Sequence, residues 1–217
     1  LSAHAVVYST DWSLSEGGQL TAAFETQFPG FGPKYAELRA GHAKRSLTAG
    51  DSFFIARAGF DLPRGVVVTV AAGGRMPRAE RAALAATGAL RCALEHLARA
   101  SVPKPWLVAL PCFLAGDGGA RHDRVTVAEP QIQAALDVVR EERDVDVAFV
   151  AYTESNYQVW LEARRRVCAR AGIAPAGPEP DERLVASVAL GECVIFAGSG
   201  LSAGSGLPGW GELIDQL

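Results

Sequence analysis

The chain has 217 residues, enough for one full hydrophobic core and part of a second domain, and 49% of them are apolar. A formal net charge of −3, with charges of both signs spread along the chain, excludes the clustered basic surplus that a nucleic-acid partner requires. No apolar run reaches the roughly 18 residues of a membrane span, and no signal peptide opens the chain, so no membrane partner is expected.

Residues 4–8 read as a first strand, followed by a polar loop over residues 9–16. Gly17-Gly18 then opens an apolar-rich helix start at residues 20–24. That glycine pair is either an ordinary helix cap or a place where an anion reaches free helix N–H groups. Residues 29–33 form a turn and residues 34–45 have helical composition. Residues 52–57 and 66–72 are β-rich and are joined by a turn at 61–65. Residues 77–100 read as a helix with Leu84, Leu90, Ala93, Leu94 and Leu97 on one face.

The run Leu107-Val108-Ala109-Leu110 is apolar on both faces, which suits a strand between two helical layers. It ends at Pro111 and passes through Ala115 to Gly116-Asp117-Gly118-Gly119. Those glycines form either a plain tight turn or a loop whose N–H groups wrap an anion such as a pyrophosphate, with Asp117 turned outward to brace it. Residues 129–142 are an amphipathic helix with Ile132, Ala135, Leu136 and Val139 on one side. Residues 145–152 read as a buried central strand and residues 155–171 as a helix. Strands alternating with helix-length crossovers predict an α/β class with a three-layer α/β/α sheet, and ligands in such sheets bind beyond the carboxyl ends of the strands.

Single residues are less telling. Cys92, Cys112, Cys168 and Cys193 are scattered, with no Cys-x-x-Cys pair and no His at ligand spacing. No metal site is therefore expected, and the free thiols suit a reducing, cytoplasmic setting. His96 and Trp160 fall on helices as packing residues, His122 reads as a surface histidine, and Arg164-Arg165-Arg166 reads as a solvated helix face. Residues 172–181, with three prolines and two glycines, read as a linker. A short helix at 182–190, a strand at 192–197, a glycine-rich run at 198–208 and a helix start at 210–217 follow. They read as the opening of a second domain, in a chain that begins without Met and reads as a fragment.

Three stretches of residues 1–171 carry a family likeness. His4-Ala5-Val6-Val7-Tyr8-Ser9-Thr10-Asp11, followed by Gly17-Gly18-Gln19-Leu20-Thr21, is similar to a D-A-I-V-N-A-A-N strand and its G-G-G-V helix start. Gly50-Asp51-Ser52-Phe53, Leu62-Pro63 and Val67-Val68-Thr69-Val70-Ala71 match a G-D-A-F…L-P…Y-V-I-H-A-V hairpin. Val108 to Gly119 matches I-A-F-P-A-I-S-T-G-I-F-G. In order and spacing this region resembles a macro domain, the ADP-ribose-binding α/β/α module, lacking its first strands.

The resemblance implies binding of ADP-ribose, NAD or a related nucleotide. Gly17, Gly18, Gln19, Leu20, Ala115, Gly116, Asp117, Gly118 and Gly119 would surround the pyrophosphate, and Tyr152 would meet the base or distal ribose. Asn156 follows the same strand. The chain departs from the family pattern at three places. The Asn of hydrolytic members falls on Asp11, the third glycine on Gln19, and the Asp of one hydrolase subgroup on Thr21. A carboxylate at Asp11 can accept from ribose hydroxyls or position a water, but it cannot donate as an amide does. Two further readings stay open: an ADP-ribosyl hydrolase acting on an ADP-ribosylated protein through Asp11, and a homo-oligomerisation or docking module with a vestigial pocket.

The tail, Val194-Ile195-Phe196-Ala197-Gly198-Ser199-Gly200-Leu201-Ser202 with Ser205-Gly206-Leu207-Pro208-Gly209-Trp210, resembles the opening of the Sir2 family, and in particular its bacterial NAD-consuming group. It implies the first β-α unit of a Rossmann-like domain over residues 182–217, whose NAD site would start with Gly198, Ser199, Gly200, Ser202 and Pro208. Glycines between a strand and a helix bring backbone amides to a pyrophosphate. The full-length protein would then be a Sir2-like NAD hydrolase or deacylase.

Overall fold

The computed structural model describes residues 3–15, 18–57, 62–115, 124–142, 144–151 and 153–173, with the backbone alone at 18–20. The expected second domain at 182–217, and the linker beyond Ile173, lie outside these residues. The described chain runs β1 (Ala5–Asp11), α1 (Gly18–Gln27), α2 (Phe31–His42), β2 (Ser52–Ala56), β3 (Gly65–Ala72), α3 (Arg78–Arg99), β4 (Trp106–Pro111), α4 (Arg124–Glu141), β5 (Val145–Val150) and α5 (Glu154–Arg170). The strands form one sheet in the order β2-β3-β1-β4-β5. β1 pairs in parallel with β3 and β4, β4 in parallel with β5, and β2 is antiparallel to β3.

Alternation along β3 separates two cores. Val66, Val68 and Val70 face an aromatic cluster of Tyr8, Phe24, Phe31 and Tyr35, while Val67 and Ala71 face an aliphatic one built with α3, α4 and α5. Helices therefore cover both faces, as the three-layer expectation requires. Within the aromatic cluster the Tyr8 ring meets Phe24, Phe31 and Tyr35 at centroid distances of 5.1, 5.3 and 5.4 Å, the spacing of tilted and edge-to-face pairs. On the other face α3 meets the sheet through small residues: Ala82, Ala85, Ala86, Ala89 and Ala93 are fully buried. Gly88 completes this seam, because a Cβ there would run into the carbonyl of Gly50. A glycine inside a helix costs about 1 kcal/mol relative to alanine, and here it admits a backbone that no side chain would.

Several elements differ from expectation. β1 continues through Asp11 into the supposed polar loop, and α2 begins at Phe31, inside the supposed turn; Pro33 falls in its first turn, where a missing N–H is tolerated. α4 begins at Arg124 rather than Glu129 and carries Pro130 within it. Proline is a natural first-turn residue, so its position invites too late a start. Leu90, Ala93, Leu94 and Leu97 are buried as expected, but Leu84 is exposed, and Ala82, Ala85, Ala86 and Ala89 carry the face in its place. β5 ends at Val150 and, among the described residues, is the sheet edge and not a central strand; Val150 itself is exposed. A mostly apolar strand such as Val145–Val150, interrupted by Asp146, does not distinguish an edge from a centre, since pairing partners and not composition decide it. His96 stacks on Phe54 and Trp160 is buried, both as packing residues. Arg164, Arg165 and Arg166 are exposed, with Arg166 paired to Glu129 and Glu162.

Candidate functional site

Because β1, β3, β4 and β5 are parallel, their carboxyl ends open on one edge of the sheet. The chain leaves β1 for β3 on one side and returns to β4 on the other. That reversal at β1 is the switch point at which open α/β sheets hold ligands.

At the end of β1 the backbone turns around Asp11. One carboxylate oxygen, Oδ1, accepts from the Ser13 amide (2.9 Å), the Ser13 hydroxyl (2.7 Å) and the Ser15 amide (3.1 Å). The other, Oδ2, accepts from the Ser15 hydroxyl at 2.6 Å. Burial would push the carboxyl pKa up, but the Ser15 and Ser13 hydrogen bonds outweigh it and hold the group below the usual aspartate value. An ionised carboxylate offers about two acceptor positions on each oxygen; three donors share Oδ1 and one uses Oδ2. The remaining side of Oδ2 is where a ribose hydroxyl or a water would meet Asp11. Leu14, in left-handed backbone (φ 52°) and 1% exposed, pins the loop to the aromatic core. Below it, Thr10 and Tyr35 share a hydrogen bond of 2.9 Å, and the Tyr35 hydroxyl donates to the Ser15 carbonyl at 3.2 Å. Thr21, where one hydrolase subgroup has its Asp, is buried and bonded to the Tyr8 hydroxyl at 2.7 Å; it fastens α1 to β1.

The loop after β4 is held differently. Gln131 of α4 is fully buried. Its Nε2 donates to the Pro111 carbonyl at 2.6 Å, and its Oε1 accepts from the Phe113 amide at 3.2 Å. One amide thus clamps both sides of the turn. Leu114 is again in left-handed backbone (φ 60°) and buried, and Ala115 is buried beside it. Burial pushes the Cys112 thiol up to about 12, so it stays protonated and acts as a small apolar residue.

At the end of β5, Thr153 caps α5 by accepting from the Asn156 amide at 3.2 Å. Ser155 receives a hydrogen bond from Arg124, the first residue of α4, which ties the two helix starts together. The Nε of Arg124 and the Oδ1 of Asn156 are buried without a partner. At the end of β3, Gly73 (φ 89°) and Gly74 (φ 80°) turn the chain, and the Trp12 indole fills the space a Gly73 Cβ would need. Trp12 itself is 55% exposed.

The structure thus places Asp11 at the end of β1, Ala115 just past the end of the adjacent β4, and Gly18, Gln19 and Leu20 in the first turn of α1. Gly17, Gly116, Asp117, Gly118, Gly119, His122, Tyr152, Gly198, Ser199, Gly200, Ser202 and Pro208 lie outside the described residues. Among the described residues no cluster of His, Cys, Asp or Glu could hold a metal ion. The sequence reading passed over Gln131 and Trp12. A polar residue at a buried position of an amphipathic helix signals the first, and a large aromatic inside a polar loop signals the second.

No family model matches the chain, and no curated protein matches it. Solved structures do. A macrodomain of Oceanobacillus iheyensis with MES bound superposes with a TM-score of 0.60 at 17% identity, covering 78% of this chain and 87% of that one. The same macrodomain with ADP gives a TM-score of 0.59 at 18% identity, over 78% and 87%. A Trypanosoma brucei macrodomain in complex with ADP-ribose gives 0.55 at 16% identity, over 74% of this chain and 63% of that one. The described part of this chain has the macrodomain fold.

Proposed function

We propose that the chain binds ADP-ribose or a related NAD-derived nucleotide in the crevice at the carboxyl ends of β1 and β4. The observation that carries this reading is the pair of braced loops flanking the switch point, in a fold whose solved neighbours hold ADP and ADP-ribose. The described stretch of each loop is braced, residues 11–15 by Asp11 and residues 111–115 by Gln131. A preorganised loop spares the ordering cost that binding otherwise carries. The first turn of α1 has no acidic side chain, and the positive end of its dipole favours an anion. Gly17 and Gly116 to Gly119 would wrap the pyrophosphate, and Tyr152 would meet the base or distal ribose, as the sequence likeness implies.

The state of Asp11 favours binding over hydrolysis. A carboxylate held by four hydrogen bonds, with its pKa below the usual value, is a weak general base. Coupling to a Sir2-like, NAD-consuming domain belongs to the same proposal and rests on the likeness of residues 194–210.

Calorimetric titration of the 217-residue chain with ADP-ribose, at one fixed ionic strength, tests the reading. The expected result is a Kd on the order of micromolar, about −8 kcal/mol, lost in Gly118→Val with the thermal transition unchanged. Absence of binding by the unmodified chain, or unaltered affinity in the variant, would overturn it.

A further inference from the structure

α5 packs on α4, and between α5 and β5 a groove of about 480 Å³ stays open. Leu136 and Val139 of α4, Val147 and Phe149 of β5, and Leu161 and Cys168 of α5 line it, all of them half-buried. Tyr157, in the same lining, is exposed. Contiguous apolar side chains left partly in water mark an interaction surface. Trp160 lines the groove as well; it is 4% exposed, and its Nε1 is buried without a hydrogen-bond partner. The groove therefore lacks both apolar cover and one acceptor.

The chain turns back beside this groove. Gly172 is in left-handed backbone (φ 65°), its amide donates to the Ala169 carbonyl at 3.2 Å, and the Ile173 amide donates to the Cys168 carbonyl at 2.9 Å. This pair of bonds returns the residue past a helix end onto the last turn, so the chain leaves α5 from beside Cys168, a groove residue. Residues 174–181 follow, with Pro175, Pro178 and Pro180 among them; extended, they reach about 25 Å. Residues 182–190, outside the described residues, read from the sequence as a short helix between Asp181, a good N-cap, and Gly191, a good terminator. Leu184, Val185, Val188 and Ala189 share one face of that helix, and Glu182, Arg183 and Ser187 fall off it. A helix this short is marginal alone in water and needs a surface to pack on.

We propose that residues 182–190 dock as an amphipathic helix in the groove between α5 and β5, covering it with a segment of the same chain. Three observations select this occupant. The linker starts beside the groove and is short, which holds the segment at an effective concentration on the order of millimolar. The apolar face offers Leu184, Val185 and Val188 at the spacing of helix-in-groove anchors. The charges also match. Asp146 and Arg164, both exposed in the groove lining, enter no ion pair among the described residues, and the segment begins with one charge of each sign, Glu182 and Arg183. The free carbonyls of its last turn are acceptors of the kind that Trp160 lacks. Docking would anchor whatever follows residue 190 to the edge of the sheet. It goes beyond the nucleotide reading and does not rest on it.

Cys168, a free thiol in the groove lining, reports on the cover. Its alkylation by iodoacetamide is followed by mass spectrometry of its peptide in the 217-residue chain, beside hydrogen exchange of residues 174–190. The expected result is that Cys168 reacts about tenfold faster in Val188→Asp and in Leu184→Asp than in the parent, because a carboxylate does not enter an apolar groove unpaired. In the parent, residues 182–190 should exchange about tenfold more slowly than residues 174–181, and lose that protection in both variants. Neither substitution touches the described core. The proposal is overturned if Cys168 reacts at one rate in the parent and both variants, or if residues 182–190 exchange as fast as the linker in the parent. Protection of 182–190 without a change at Cys168 places the helix elsewhere and overturns it equally. Protection of Cys168 that is lost on dilution shows that a second copy covers the groove, and also overturns it. Should a variant fail to fold, the exchange of the parent and its dilution series still decide. ADP-ribose enters none of these measurements, so failure of the nucleotide reading leaves the outcome intact.

Discussion

The loops that leave β1 and β4 stand on either side of the crevice, and each sets a buried leucine in left-handed backbone, Leu14 and Leu114. Such a residue costs roughly 1–2 kcal/mol, so both turns persist only because something else fixes them. For β1 the fixing group is local: Asp11 binds residues two and four positions on. For β4 it is distant: Gln131 reaches Phe113 and Pro111 from eighteen and twenty residues away, through the packing of α4. A locally braced loop depends on an ionised group and so on pH. A clamped loop depends on the core beneath it.

Breaking the clamp has the largest expected effect. Gln131→Leu keeps the volume but leaves the Pro111 carbonyl and Phe113 amide unpaired in a buried place. At about 1–3 kcal/mol for each such group, denaturant unfolding would show a loss of about 2–6 kcal/mol, with ADP-ribose affinity falling as the loop loosens. A loss below about 1 kcal/mol would mean that the β4 loop holds itself, as the β1 loop does.

Next is Gly73→Val. The new side chain must displace Trp12 and adopt a left-handed conformation that a β-branched residue resists. A stability loss of about 1–3 kcal/mol, with a shift in Trp12 fluorescence, is expected, and an unshifted spectrum would show that the indole does not rest on Gly73.

The smallest effect, and the one that separates the two loops, is Asp11→Asn. The folded-state pKa of Asp11 is depressed. Its contribution to stability is therefore present above the unfolded value, near 3.9, and is lost as the pH falls through the folded value. At neutral pH the variant should be about 1 kcal/mol less stable, reduced by the partial exposure of the group. The difference between variant and parent should close as the pH is lowered from about 5 toward 2. Gln131→Leu should show no such narrowing. A difference for Asp11→Asn that is the same at every pH would mean that its charge does not brace the turn.

How much of this was readable in the chain follows from the same distinction between local and distant causes. The alternation of strands and helices, the apolar run of β4 and the glycine punctuation are local signals, and they yield the layers and the edge of the sheet at which the site lies. What composition hides is the partner. β5 reads like a central strand because its residues do not say that, among the described residues, β4 is its one neighbour in the sheet. Leu84 reads like core because its spacing fits, whereas the buried face of α3 joins Leu90, Leu94 and Leu97 to a run of alanines beside it. Asp11 was visible through the likeness of residues 4–11 to a family strand, while composition alone ended that strand at Tyr8, and its bonds to Ser13 and Ser15 become apparent only when the backbone turns. Gln131 and Trp12 escape for the same reason, each defined by a contact to a separate element.

The alanine seam of α3 sets a limit on how this molecule can change over generations. Its side chains have no rotamers to rearrange, and each already touches the sheet or a neighbouring helix, so a larger residue at Ala85, Ala86 or Ala89 has nowhere to go. Drift is confined to the outer face of the helix. The first turn of α3 is therefore held at a fixed height above the sheet while the surface around it is free to diversify.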